Sequence, residues 1–67
     1  MAAALTRREL QSLRMAAEGM SSREIAEVLG VKNEQSIRRL WSSAAAKLGA
    51  DNTIHAVYLA CRRKLIS

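Results

Sequence analysis

Two adjacent arginines, Arg38 and Arg39, have the clearest capacity for chemistry in this sequence, and they lie in a stretch with helical periodicity. Gln35 and Ser42 fall on the same side of such a helix. Arginine donates paired hydrogen bonds to O6 and N7 of guanine, and glutamine pairs in a similar way with adenine. These side chains predict contacts to the base edges of double-stranded DNA. The alternative for each of them is an ordinary solvated helix face.

Three further polar residues suit the sugar-phosphate backbone better than the bases. Arg23 stands near the start of the preceding predicted helix, and Ser36 and Lys47 belong to the same stretch as the arginines. Contacts of this kind fix the position of a protein on a duplex without reading its sequence. We therefore expect Arg23, Ser36 and Lys47 to contact phosphates.

The charge is distributed unevenly along the 67 residues, whose formal net charge is +5. Residues 1–34 carry five basic and five acidic side chains, whereas residues 35–67 carry six basic ones and only Asp51. A basic C-terminal half is typical of proteins that bind a polyanion, either a nucleic acid or an anionic membrane. A charged surface that only keeps a small protein in solution is the alternative.

Residues that catalyse reactions or bind metals are not grouped in this sequence. Cys61 is the only cysteine, and His55, the only histidine, has no further ligand at metal-binding spacing. No serine has a recognisable base, and no glycine-rich phosphate loop occurs. The sequence therefore predicts neither an enzyme nor a cofactor. It also lacks an apolar run near the ~20 residues of a membrane span, so we expect a cytoplasmic protein with no membrane partner.

Local signals predict four helices, and two of these signals are capping boxes. Thr6 with Glu9 and Ser21 with Glu24 have the S/T-x-x-E spacing in which side chain and backbone satisfy each other. Asn33 is a suitable N-cap for the third helix, and Asp51-Asn52-Thr53 begins the fourth. Three glycines mark the ends of the first three helices: Gly19, Gly30 and Gly49.

Apolar residues at helical spacing predict the buried face of each helix, with Trp41 in the core rather than stacked on a base. The fourth helix carries more apolar side chains than a domain of this size can bury, which suggests a surface for a partner. The predicted stripes are Leu10, Leu13, Ala17 and Met20; Ile25, Ala26, Val28 and Leu29; Ile37, Leu40, Trp41, Ala44 and Leu48; and Ile54, Val57, Tyr58 and Cys61.

The second and third helices form a helix-turn-helix pattern: a short capped helix, a glycine-containing turn and a longer basic helix. In that motif the second of the two helices enters the major groove and its N-terminal residues meet base edges. The fold class is therefore all-α, a compact four-helix domain in which the third helix reads DNA.

The sequence resembles the DNA-binding domain of LuxR/GerE-type bacterial transcription regulators from Leu5 to about Ile66. The resemblance implies a four-helix domain whose third helix reads DNA, with Arg38, Arg39 and Ser42 at base-facing positions. It implies basic phosphate contacts at Arg23 and Lys47. Its strongest segments are Leu5-Thr6-x-Arg8-Glu9, AEGMS at 17–21, EIA at 24–26, KLG at 47–49, and Asn52 followed by Ala56-Val57.

The sequence departs from this pattern at several positions. Arg7 stands where proline is usual, and the turn Gly30-Val31-Lys32-Asn33 is one residue longer than the common form. Leu40 replaces a frequently polar residue and Trp41 a smaller aliphatic one. The longer turn bears most directly on how the third helix is presented to DNA.

The resemblance also implies that the fourth helix forms a dimer contact, for which Val57, Tyr58 and Cys61 are the candidates. The predicted partners are double-stranded DNA, a second copy of the chain in solution or only on DNA, and RNA polymerase. A protein-interaction module that binds RNA polymerase, a sigma factor or a larger regulator is the alternative function. We expect residues 1–4 to be flexible and residues 5–67 to form the domain, either alone or as a piece of a longer regulator.

Overall fold

Four helices make up most of the computed structural model, which describes residues 4–66. They are α1 (Arg7–Ala17), α2 (Ser22–Leu29), α3 (Glu34–Leu48) and α4 (Thr53–Arg62). No strand occurs among the described residues, and the predicted all-α four-helix fold is confirmed. The expected flexibility of residues 1–4 falls, apart from Ala4, outside the part of the chain that the structure describes.

Both predicted capping boxes are present and set the starts of α1 and α2. The Glu9 amide donates to Thr6 Oγ1 over 3.2 Å, and the Thr6 amide donates to Glu9 Oε1 over 2.7 Å. The corresponding distances for Ser21 and Glu24 are 3.2 Å and 2.9 Å. Each box satisfies two amides that would otherwise lack a partner at a helix start.

A left-handed glycine follows α2 and α3, whereas a lysine takes the left-handed position after α4. Gly30 and Gly49 are left-handed, with φ angles of 72° and 73°. After α4 the left-handed residue is Lys64, with a φ of 59°. Its amide donates to the Cys61 carbonyl, and the Leu65 amide donates to the Ala60 carbonyl over 2.8 Å. This pair of bonds is the Schellman pattern, which normally has glycine at the left-handed position.

The larger of two hydrophobic clusters lies between α1, α3 and α4 and is named here the three-helix cluster. Alanine supplies more than half of its buried members, which lets the helix backbones approach closely. Ile66, beyond the turn after α4, is 7% exposed and completes it. The buried members are Leu13, Ala44, Ala45, Leu48, Ala56, Ala60 and Ile66.

The smaller cluster holds α2 against α3, and we name it the helix-turn-helix cluster. Its buried members are Ile25, Ala26 and Ile37. Trp41 packs against both clusters, and its indole Nε1 donates to the Ser12 carbonyl over 3.2 Å. The prediction that Trp41 belongs to the core is therefore confirmed.

Five residues of the predicted buried stripes, Cys61 among them, lie at the surface instead. Ala17 is exposed, Val28 is 62% exposed, and Ile54 and Tyr58 are 83% and 55% exposed. In α4 the buried face is formed by Ala56 and Ala60, because these small residues face α1 and α3. Within residues 4–66, no helix combines the length and the hydrophobicity needed to cross a bilayer.

Candidate nucleic-acid interface

The outer face of α3 carries the side chains that the sequence assigned to base contacts. Gln35, Arg38, Arg39 and Ser42 are all exposed. The spacing of 3.6 residues per turn puts Gln35, Arg39 and Ser42 in one row, opposite the buried Ile37. Arg38 lies to one side of this row and lines a shallow depression with Asp51 and Thr53 at the start of α4. The four residues therefore form one surface, with Arg38 at its α4 edge.

Neither arginine of this surface is engaged elsewhere in the described part of the chain. No ion pair or side-chain hydrogen bond to residues 4–66 involves the Arg38 or Arg39 guanidinium. Each guanidinium keeps its five N–H donors available for a ligand. A surface whose cations have no internal partner is suited to binding an anionic or acceptor-rich molecule.

The turn between α2 and α3 is fixed by several contacts. The Ser22 hydroxyl donates to Glu34 Oε2 over 2.8 Å and joins the starts of the two helices. The Val31 amide donates to the Ala26 carbonyl over 2.9 Å, and the Gln35 amide donates to Asn33 Oδ1 over 2.9 Å. These bonds define the direction in which α3 leaves the turn.

Two of the three predicted phosphate contacts lie at the borders of this surface. Arg23 is exposed near the start of α2 and lines a shallow depression with Asn33 and Glu34 of the turn. Ser36 is half-buried on the flank of α3. Both positions allow contact with a backbone that passes beside the outer face of α3.

Lys47, the third predicted phosphate contact, has partners for its ammonium within the protein. Its ammonium donates to Glu9 Oε1 over 2.8 Å and to the Ala4 carbonyl over 3.3 Å. The Lys47 side chain is 24% exposed and that of Glu9 only 3%. An ammonium paired with a buried carboxylate contributes to the fold, and the phosphate contact of Lys47 stays a prediction.

The fold shifts the pKa of the Glu9 carboxyl far from its ordinary value. Burial by itself raises the pKa of its carboxyl, but hydrogen bonds outweigh this effect and lower the pKa to about 2. The donors are the Lys47 ammonium, the Ser43 hydroxyl and the Thr6 amide. Sequence reasoning gave Glu9 a capping role only. Its place on the same side of α1 as the buried Ser12 and Leu13 was the available signal.

The exposed face of α4 contains the residues predicted to form a dimer contact. Tyr58 and Cys61 are exposed, and Val57 is half-buried against the three-helix cluster. Ile54, which the sequence placed in the core, adds the most exposed large apolar side chain of this face. The Tyr58 hydroxyl accepts a hydrogen bond from Arg62 Nη1 over 2.9 Å. Apolar side chains thus extend along the solvent side of α4.

Metal ligands are not clustered in the described residues, where no group of three His, Cys, Asp or Glu side chains could hold an ion. The Nδ1 atom of His55 instead accepts a hydrogen bond from the Asp51 amide over 3.2 Å. His55 therefore takes part in the start of α4.

A family model described as bacterial regulatory proteins, luxR family, matches residues 3–60. The chain is 43% identical over 63 residues to the transcriptional activator protein BjaR1 of Bradyrhizobium diazoefficiens, which covers 94% of this chain and 26% of that protein. It is 44% identical over 55 residues to the transcriptional activator protein VanR of Vibrio anguillarum, covering 82% of this chain and 22% of that protein. The chain thus spans about a quarter of the length of these curated relatives.

The solved structure of the transcription factor GerE has the same fold. It matches with a TM-score of 0.88 at 25% identity, covering 94% of this chain and 92% of that chain. The coverage and the TM-score show that the arrangement of the helices is shared.

Proposed function

The chain belongs to the luxR family of bacterial regulatory proteins, and from that premise we propose that it binds double-stranded DNA sequence-specifically in transcription regulation. The family consists of regulators rather than enzymes. The observation that carries the proposal is the unpaired arginine pair, Arg38 and Arg39, on the outer face of a helix that a helix-turn-helix frame holds in place.

The shape of α3 suits the major groove. Its 15 residues give a length of about 22 Å, and the groove, about 12 Å wide, admits one α-helix. Gln35, Arg38 and Arg39 all lie in the first two turns, the part of such a helix that meets base edges. In this proposal the arginines contact guanine, with Gln35 and Ser42 as further base contacts.

Arg23 and Ser36 complete the proposed interface as phosphate contacts. Arg23 lies on α2, the helix that crosses the DNA backbone in this motif. Lys47 is left out of this set because of its ion pair with Glu9. Activity of this kind would require the bacterial cytoplasm, where the chromosome lies.

The first test is selection of a binding site from random duplex DNA, followed by fluorescence anisotropy at several salt concentrations. We expect one sequence to be bound well above the random pool. Its affinity should fall steeply with salt, because phosphate contacts release counterions. If no sequence outcompetes the pool, the outer face of α3 does not read bases.

Substitutions then assign the base contacts. Arg38→Ala and Arg39→Ala should each cost about 1 to 3 kcal/mol on the selected site and relax preference at one base pair. Arg23→Ala should weaken selected and random DNA alike. Arg14→Ala is the matched control, since Arg14 is an exposed arginine on α1 whose loss changes the net charge equally. If Arg14→Ala and Arg38→Ala weakened DNA binding equally, α3 would contribute only its positive charge and no base contact from Arg38.

We further propose that two copies associate through the exposed face of α4, with Ile54, Val57, Tyr58 and Cys61 at the contact. Large apolar side chains grouped at a surface usually have a partner. Two copies related by a two-fold axis would bind half-sites about 34 Å apart. The association can exist in solution or form only on DNA.

The test of the dimer is sedimentation velocity with and without the selected DNA. A Tyr58→Asp and Ile54→Glu double variant should bind DNA with one copy only, while the unsubstituted chain binds an inverted repeat with two. If the double variant associates as the unsubstituted chain does, the contact between the two copies lies elsewhere.

A further contact with RNA polymerase stays a prediction from the resemblance. The family match favours DNA binding over the alternative of a protein-interaction module without it.

A further inference from the structure

A cleft of about 1000 Å³ lies between α1, from Arg7 to Arg14, and the end of α4 with the turn that follows it, Cys61 included. Its floor is apolar: Leu10 is half-buried, Leu65 is 45% exposed and Ile66 is 7% exposed. No residue of α2, of the following turn or of α3 lines it. The cleft is therefore separate from the proposed DNA surface, and a partner could occupy it while DNA is bound.

Cations surround this apolar floor. Arg7, Arg14 and Lys64 line the cleft, and none of the described groups that line it is acidic. No described residue forms an ion pair with any of the three. Arg7 and Arg14 are seven residues apart, which is about 10.5 Å or two turns along α1. Positive charges at this spacing match acidic side chains two turns apart on a second helix.

Lys64 has a left-handed backbone conformation, which is unfavourable for a lysine. A non-glycine residue at a φ of 59° is uncommon, and the chain uses glycine for the same purpose at the ends of α2 and α3. The turn thus retains a lysine where a residue without a side chain would fit more easily. Strain kept at such a position points to a use for the side chain, and the Lys64 side chain lines the cleft.

We propose that this cleft is a docking site for an acidic amphipathic helix of a partner protein. The apolar stripe of that helix would lie on Leu10, Leu65 and Ile66, and its carboxylates would pair with the three cations. Recognition of a helix by an apolar groove with matching charges is a common binding mode. DNA has no apolar stripe for this floor, and a second copy of a chain with net charge +5 would bring further positive charge to the cleft.

The experiment is an NMR titration of the ¹⁵N-labelled 67-residue chain with a synthetic helix. The probe peptide, about 16 residues long so that it forms a helix, carries leucines on one face and glutamates on either side of them. One matched peptide has lysine in place of every glutamate. A second has the same composition with the stripe scrambled. We expect saturable shifts from the first peptide only, confined to residues 7–14 of α1 and to residues 61–66.

Charge reversal in the cleft tests the contribution of its cations. Arg14→Glu should weaken binding of the acidic peptide at least about fivefold, because an attractive charge becomes a repulsive one. Lys32→Glu is the control, since Lys32 is exposed in the turn before α3 and its reversal changes the net charge equally. Equal weakening by the two variants would contradict a specific site.

Lys64→Gly separates the docking function from folding. Glycine relieves the strained turn, so this variant should unfold at the same or a higher temperature than the parent chain. Its affinity for the acidic peptide should nevertheless fall, by about threefold for one exposed charge. Undiminished affinity would remove Lys64 from the site.

Three results would overturn the proposal as a whole. The first is equal binding of the lysine or the scrambled peptide. The second is acidic-peptide shifts on the outer face of α3, which would indicate only a general attraction to the basic surface. The third is a duplex DNA or an anionic vesicle that shifts the cleft residues, since the cleft would then belong to that ligand.

Discussion

The Glu9 carboxylate joins two elements that are far apart in the sequence. It accepts hydrogen bonds from the Thr6 amide and from Lys47 Nζ, 38 residues further along the chain. Lys47 in turn reaches the Ala4 carbonyl. One buried carboxylate therefore ties the start of α1 to the last turn of α3, the helix on which the proposed DNA surface lies.

This pair makes the stability of the fold dependent on pH. The pKa of Glu9 is lowered from 4.5 to about 2 in the folded chain. Its contribution is therefore complete above pH 4.5 and is lost as the pH falls toward 2. We expect it to be of the order of 3 kcal/mol at most. Urea unfolding from pH 6 to pH 2 measures the loss.

Glu9→Gln is the reference for this measurement, because it removes the titrating group while keeping the size of the side chain. The variant should be less stable than the parent at neutral pH, since Lys47 loses the carboxylate that neutralises it. The difference in free energy of unfolding between the variant and the parent should become smaller as the pH falls. A difference that is constant with pH would mean that Glu9 is not ionised in the fold.

Lys47→Ala tests whether Lys47 also contacts DNA. We expect a loss of about 1 to 3 kcal/mol in the free energy of unfolding, because Glu9 keeps a buried charge without its partner. The salt dependence of DNA binding should stay near that of the parent chain. Arg23→Ala should instead reduce the slope of log K against log salt by about one, as loss of a phosphate contact does. The same reduction for Lys47→Ala would restore its predicted phosphate contact.

Single residues differ in how far the sequence predicts them. Arg38 and Arg39 are exposed because their places on α3 lie away from Ile37 and Leu48, and a helical repeat makes this visible. The Glu9–Lys47 pair depends on two helices meeting in space, which no local pattern contains. The sequence therefore predicted a DNA phosphate as the partner of Lys47, whereas in the fold its ammonium is paired with the Glu9 carboxylate.

At the scale of the elements, local signals predicted where the helices begin and end. Each capping box and each glycine acts within a few residues, so its effect survives in any tertiary context. The buried face of α4 was predicted wrongly because the core there consists of Ala56 and Ala60. Alanine gives a weak hydrophobic signal beside Ile54 and Tyr58, yet only a small side chain fits where helix backbones approach closely.

The helix ends offer a test of backbone conformation alone. A Cβ atom added to Gly49 would meet no atom within 4 Å, but its φ is 73°. Gly49→Ala should therefore cost about 1 kcal/mol through the left-handed conformation. Lys64→Gly should have the opposite sign and a similar or smaller size. Urea unfolding of both variants checks the pair, and a stabilising Gly49→Ala would show that the turn after α3 relaxes to another conformation.

The whole molecule has two hydrophobic clusters and few large side chains to hold them together. A chain of 67 residues has a free energy of unfolding of about 3 to 10 kcal/mol. The helix-turn-helix cluster has only three buried members, so α2 depends on α3 for its stability. The cleft beside α1 is separate from the proposed DNA surface but shares Cys61 with the exposed face of α4.

Trp41 is the residue that contacts both clusters, and it is the only tryptophan in the sequence. Its fluorescence should therefore respond when either cluster opens, whereas circular dichroism follows all four helices. We expect both signals to change at the same urea concentration, as in a two-state transition. A fluorescence change at lower urea would mean that α2 separates first.

The position of Trp41 thus gives this protein an intrinsic optical probe that needs no label. The indole begins one turn after Arg38 on the same helix, and its Nε1 is bonded to the Ser12 carbonyl of α1. The ring is partly buried but also lines the shallow depression beside Arg38 and Ser42, so DNA bound to this edge of the α3 surface should change its emission directly. An emission that stays constant throughout a DNA titration would mean that DNA does not cover the Arg38 edge of this surface.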